Sequence, residues 1–264
     1  MSTSSSTNQR RILVTGGSRG IGLAVVRRLL AEGTGPVTVV SDDPASAYPE
    51  DLQASPRVHS ERFDFATANG PLDAIRFAID RMGGLDGLVH CAGIYPEGNP
   101  AGRTPLELWE LTMNVKARAG YLLATEFSRC ASSGSSFVAI TSINAEQSEP
   151  DHLAYDPACA ALGGVVRAFA VHFAPRFRFN AVAPGLIRTR LTESLFQDPA
   201  LHAHVRHNIP LDRAGDAEDC AGPILFLLGP DSAYITGETI FVDGGIRANQ
   251  MSRLPSLNSL GEAG

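Results

Sequence analysis

The chain has 264 residues and a formal net charge of −6, with 44% hydrophobic and 19% charged residues, the balance of a globular protein with a buried core. The acidic balance gives no support to a nucleic-acid partner, and no apolar run reaches the ~18–20 residues that cross a bilayer. Four widely spaced cysteines without a CxxC pair argue against a metal site or a disulfide scaffold and suit a reducing cytoplasm.

Residues 1–9 are Ser/Thr-rich, lack an apolar core, and read as a disordered tail rather than a signal peptide. A first buried strand is expected over 11–15, running into the glycine cluster from Gly16 to Gly22. A helix over 21–31 follows, closed by Gly33. Strands are expected over 36–40 and 58–65, then a helix over 72–82 that stops at Gly83-Gly84. A fourth strand over 85–91 precedes a long helical stretch over 105–130. A fifth strand spans 136–141, a further helix 152–173, and strands over 178–182 and 239–242 complete the set. Alternating strands and helices imply parallel pairing with right-handed crossovers. The fold expected is therefore α/β: one doubly wound (Rossmann) domain over 10–245, a seven-stranded parallel sheet with helices on both faces. Residues 246–264 form a C-terminal tail without a readable pattern.

Ligands in such a sheet bind beyond the carboxyl ends of the strands. Thr15-Gly-Gly-Ser-Arg-Gly-Ile-Gly22 lies there, between a strand and a helix. Glycines permit the tight turn and close backbone approach, and the helix N-terminus offers N–H donors to a pyrophosphate.

With Asp64, Cys91-Ala92-Gly93, Asn114, Ser142, Tyr155 thirteen residues later, Pro184-Gly185 and Thr189, this loop resembles the short-chain dehydrogenase/reductase family, of the single-domain 3-oxoacyl-reductase-like type. The resemblance covers about residues 10–245 and implies an NAD(P)-dependent oxidoreductase. It assigns the dinucleotide to Gly16, Ser18, Arg19, Gly20, Ile21 and Gly22, to Ser41 and Asp42, and to Asp64 and Phe65. Cys91, Ala92, Gly93, Asn114, Tyr155, Pro184, Gly185, Ile187 and Thr189 complete that set.

Cofactor choice turns on the end of the second strand, where Ser41 aligns with the discriminating position. Asp42 and Asp43 would repel a 2′-phosphate and favour NAD(H), whereas Arg19 resembles the arginine that grips the phosphate of NADP(H).

The resemblance makes Ser142 the residue that hydrogen-bonds the substrate oxygen, Tyr155 the proton donor or acceptor, and Asn114 the holder of a water in the proton path. The departure is Tyr155-Asp-Pro-Ala-Cys159, with Cys159 where the family keeps lysine. A thiol is neutral near pH 7 and a weak donor, so it neither lowers the tyrosine pKa nor grips the nicotinamide ribose well. An unassisted phenol titrates near ~10, which penalises alcohol oxidation more than ketone reduction. On this reading Cys159→Lys raises turnover and lowers the cofactor KM.

Lys116 is the only lysine, but two residues past Asn114 on an α-helix it points about 200° away. His90 and His152 are candidate substitutes for the lost lysine, and Asn144 and Glu146 candidate substrate-facing residues.

The favoured reading is a ketoreductase of a small or mid-sized organic molecule. Alternatives are a non-redox dehydratase, cyclase or isomerase using Tyr155, His152 or Glu146, or a non-catalytic subunit beside an active paralogue. Neither a nucleic acid nor a membrane is expected as a partner; a homodimer or homotetramer is.

Overall fold

The computed structural model describes residues 9–96 and 101–249. The expected N-terminal tail falls outside them except for Gln9, as does most of the expected C-terminal one.

Seven parallel strands form one sheet: β1 (Ile12–Thr15), β2 (Val37–Ser41), β3 (Val58–Arg62), β4 (Gly87–His90), β5 (Ser136–Ile140), β6 (Arg178–Pro184) and β9 (Thr239–Val242). Their order is β3-β2-β1-β4-β5-β6-β9, so the winding reverses between β1 and β4. Ile12 lies opposite both Val37 and Gly87, and the register ends with Thr15 beside Val40 and His90. A two-stranded pair, β7 (Ile187–Arg188) with β8 (Gly215–Asp216), stands apart from the main sheet.

Side chains alternate across the strands, and both faces are apolar, as a sheet covered on both sides requires. Val14, Val39, Val138 and Val182 face α1 (Gly20–Ala31) and α8 (Ala217–Leu228). Leu13, Leu88, Phe137 and Phe179 face α3 (Gly70–Met82), α5 (Ala119–Cys130) and α6 (Tyr155–Phe173). On that second face Phe127, Phe137 and Phe179 pack with ring centroids 5.4–5.9 Å apart.

The remaining helices are α2 (Glu50–Gln53), α4 (Pro105–Met113) and α7 (Pro199–Asn208). The stretch expected as one helix over 105–130 is continuous but not uniform: α4 and α5 are joined by a π-helical segment, Asn114–Arg118. Such wide turns recur at functional sites. The α8 crossover went unforeseen because Pro223 sits inside it. Its start signal is a capping box, in which the Asp219 carboxylate accepts from the Asp216 N–H at 2.8 Å. Among the described residues no helix is long and apolar enough to cross a membrane.

Candidate active site

The winding reversal opens a cleft of about 620 Å³ over the carboxyl ends of the strands, within the ~300–1,000 Å³ usual for small-molecule sites. At one end lies the glycine loop. Thr15 Oγ1 accepts from the N–H groups of Cys91 and Ala92 at 3.2 and 3.1 Å, and its hydrogen goes to His90 Nδ1 at 3.0 Å. These bonds hold the exits of β1 and β4 together. Gly16 sits at φ +66°, and a Cβ there would meet Ala92 N at 2.8 Å. A Cβ on Gly22 would lie 2.3 Å from the Gly16 carbonyl oxygen. The loop is thus a cradle that side chains would fill, and it aims the first N–H groups of α1 at the cleft.

Gly22→Ala is expected to push that turn apart and weaken NADH binding by ~100-fold, the equivalent of ~3 kcal/mol of strain. Fluorescence titration with NADH checks this, and unchanged affinity would refute the cradle.

Ser41, Asp42, Asp64 and Phe65 line the adjoining wall. The discriminating position, Ser41, ends β2 and faces inward, sharing a hydrogen bond with Tyr48 Oη at 3.0 Å. Asp43 accepts from Ser18 Oγ at 2.7 Å and pairs with Arg19 Nη1, while Arg19 Nη2 reaches Asp42 at 3.3 Å. Burial opposes the Asp43 carboxylate, but the Ser18 and Arg19 bonds hold its pKa below the ordinary range. Arg19 is therefore engaged by two carboxylates.

The other end of the cleft carries Ser142 and Tyr155. Ser142 follows β5 in extended conformation and caps a short 3₁₀ turn, its Oγ accepting from Asn144 N at 3.2 Å. Tyr155 opens α6. The loop between them is tied by Asp156, which accepts from Asn144 Nδ2 at 3.0 Å and from Glu149 N at 3.2 Å. Ser142 and Tyr155 are thereby hydrogen-bonded to each other. Burial pushes the Tyr155 phenol up to about 12, opposed by the nearby Lys116 charge. Tyr95, not singled out from sequence, stands edge-on to the Tyr155 ring at 5.6 Å.

The expected substitutes for the lysine, His90 and His152, and the expected substrate-facing Asn144 and Glu146 do not line the cleft. His90 is fully buried in β4 between Thr15 and the Lys116 carbonyl, 3.1 Å from Nε2. Burial pushes its pKa down to about 4, so it is a neutral tether. Asn144 and His152 bond each other at 2.8 Å and share Asp156, and Glu146 pairs with Arg247. None of these four is among the residues lining the cleft. Asn114 is half-buried at the start of the π segment and, with Gly22 and the fully buried Cys159, also lies off the lining.

Lys116 is the correction that matters most. The expectation that it points away assumed the even angular step of an α-helix. The wide π turn breaks that step, and the four-carbon stem carries the ammonium into the cleft. Lys116 Nζ lies 5.2 Å from the Tyr155 ring centroid and donates to the Ile140 and Thr141 carbonyls at 3.3 and 3.4 Å. It also bonds the Cys159 thiol, which in turn bonds the Tyr155 hydroxyl. One signal for it was present in the sequence: it is the only lysine of the chain.

A phosphate cradle at one end and a hydroxyl pair beside an ammonium at the other is the layout of a Rossmann-class oxidoreductase. A family model described as enoyl-(acyl carrier protein) reductase matches residues 16–247. Glucose 1-dehydrogenase of Gluconobacter oxydans is 34% identical over 247 residues, covering 90% of this chain and 91% of that one. Human dehydrogenase/reductase SDR family member 4 is 33% identical over 242 residues, covering 88% and 86%. The crystal structure of a short chain dehydrogenase from Burkholderia cenocepacia in complex with NADP superposes with a TM-score of 0.82 at 29% identity, covering 91% and 99%. The chain belongs to the short-chain dehydrogenase/reductase family of oxidoreductases.

Proposed function

We propose that this protein is a nicotinamide-dependent ketoreductase acting on a small or mid-sized organic carbonyl compound. The observation that carries the reading is the Tyr155 phenol, set in the cleft beside Ser142 and pushed by burial to a pKa of about 12. It is a neutral donor at physiological pH. The glycine cradle fits a dinucleotide, since its close approaches leave no room for side chains. Reduced nicotinamide, when bound, supplies a hydride to the carbonyl carbon and leaves oxidised. Ser142 then polarises the carbonyl oxygen, and Tyr155 O–H delivers the proton that makes it a hydroxyl. The phenolate left behind recovers its proton from water.

The cofactor is NAD(H) on this reading. Asp42 lines the cleft and Asp43 holds Arg19, the one loop cation suited to a 2′-phosphate. One uncompensated repulsion of ~1.4 kcal/mol makes NADH favoured over NADPH by ~10-fold in kcat/KM. Following nicotinamide absorbance with a panel of ketones tests both points. Failure of either cofactor to turn over any ketone would refute the reductase, and a preference for NADPH would refute the choice.

Apolar side chains exposed on α4, α5 and α6, among them Trp109, Tyr121 and Val171, support a homodimer or homotetramer. The four cysteines are free, which suits a cytoplasmic setting. The non-redox alternative loses support, because His152 is bonded to Asn144 and Asp156 and Glu146 is paired with Arg247.

A further inference from the structure

We propose that Lys116 supplies the ammonium that position 159 lacks, making a lysine from the preceding helix the charge that poises Tyr155. The assignment rests on the ketoreductase reading for its kinetic consequences, but the placement is a property of the chain itself. Lys116 is 4% exposed in a protein whose every other fixed cation is arginine. Among the described residues its partners are two carbonyls, a thiol and an aromatic ring, none of them a carboxylate. A buried ammonium without a counter-charge is costly. Its field is also undiminished, so it favours negative charge wherever that can form nearby. The phenol of Tyr155 is the group that can form it there.

Every titratable neighbour supports this direction. Tyr155 and Cys159 face Lys116 from α6, and Cys91 faces it from the end of β4. Burial disfavours the ammonium, but the negative charge that Cys159, Tyr155 and Cys91 take on when ionised holds the Lys116 pKa above the ordinary lysine value. His90, below it, is neutral and fixes the Lys116 backbone through its carbonyl. Cys159 completes the fit. Its short side chain leaves open the volume that a lysine at 159 would fill, and its thiol joins Nζ to the Tyr155 hydroxyl. On the far side Gly93 borders Nζ, where a Cβ would lie in ordinary contact at 3.5 Å. Lys116 also lines the cleft, so a dinucleotide bound there changes the surroundings of its ammonium.

A single lysine makes the test direct. Protein grown with ε-¹³C-lysine gives one lysine resonance, expected to be displaced from the free-lysine position and to move when NADH is added. A resonance at the free position that ignores NADH would overturn the proposal, and this measurement needs neither a mutant nor turnover. Lys116→Met is expected to lower kcat for alcohol oxidation by ~100-fold. It should also move the ascending, acid-side limb of that profile up by about one pH unit or more, since the phenol loses the charge that favours its ionised form. Lys116→Met with Cys159→Lys should return both to within about tenfold of wild type, which a merely structural lysine would not allow. Wild-type kcat and an unmoved limb in Lys116→Met would sink the assignment. If wild type reduces no ketone while the resonance still responds to NADH, the ketoreductase reading falls and Lys116 stands.

Discussion

Tyr155→Phe is expected to cut ketone reduction by about 10³-fold while leaving NADH binding and thermal stability near wild type. The ring keeps its edge contacts with Tyr95 at 5.6 Å and His152 at 5.7 Å, and its position 5.2 Å from the Lys116 ammonium. Only the hydroxyl is removed, and with it the proton that must reach the carbonyl oxygen as hydride arrives. Ser142 remains as a hydrogen-bond donor, so polarisation survives without proton delivery. The pH behaviour has a definite sign. Reduction needs the neutral phenol, whose pKa burial raises to about 12. The wild-type rate should therefore show no loss from phenol ionisation between about pH 6 and 9. Steady-state kinetics across that range, with NADH fluorescence titration of both proteins, checks each part. A variant that retains more than a tenth of wild-type turnover would remove Tyr155 from the proton path.

What could be read from the sequence and what could not differ in physical kind. The strands of the main sheet other than β3 are short, mostly apolar runs, and their signal is local. Residues 239–242 were legible to the residue for that reason. That the glycine loop borders the cleft was legible too, because such a loop is a contiguous motif between a strand and a helix. The α8 helix was hidden by Pro223, although the Asp216–Asp219 capping box announced its start. The roles of the histidines were not legible at all. Whether His90 titrates depends on Thr15, 75 residues earlier, and on a carbonyl 26 residues later. Lys116 was misplaced for a subtler reason: an α-helical period was extended across a segment that is π-helical. Periodicity detects that a stretch is helical but not where an extra residue widens a turn.

Cys159→Lys alone, the change that would restore the family pattern, is expected to damage the protein. From sequence, position 159 looks like a vacancy, and filling it should raise turnover. In the structure the neighbouring volume already holds the Lys116 ammonium, bonded to the Cys159 thiol. Two ammonium groups about 4 Å apart repel by ~4 kcal/mol at the effective dielectric of a partly buried site. Helix α6 is buried at Cys159, which is fully inaccessible, so a lysine there cannot swing into bulk water. One of them must deprotonate or the helix must shift. The melting temperature should fall by ~10 °C, taking ~2–4 °C per kcal/mol for a chain of this size. A new ionisation should enter the pH–rate profile near neutrality, as one lysine of the pair loses its proton. Turnover at neutral pH should not rise. Differential scanning calorimetry and a pH–rate profile decide the matter. Higher turnover with an unchanged melting temperature would mean that position 159 is the vacancy it resembles and that Lys116 is a bystander.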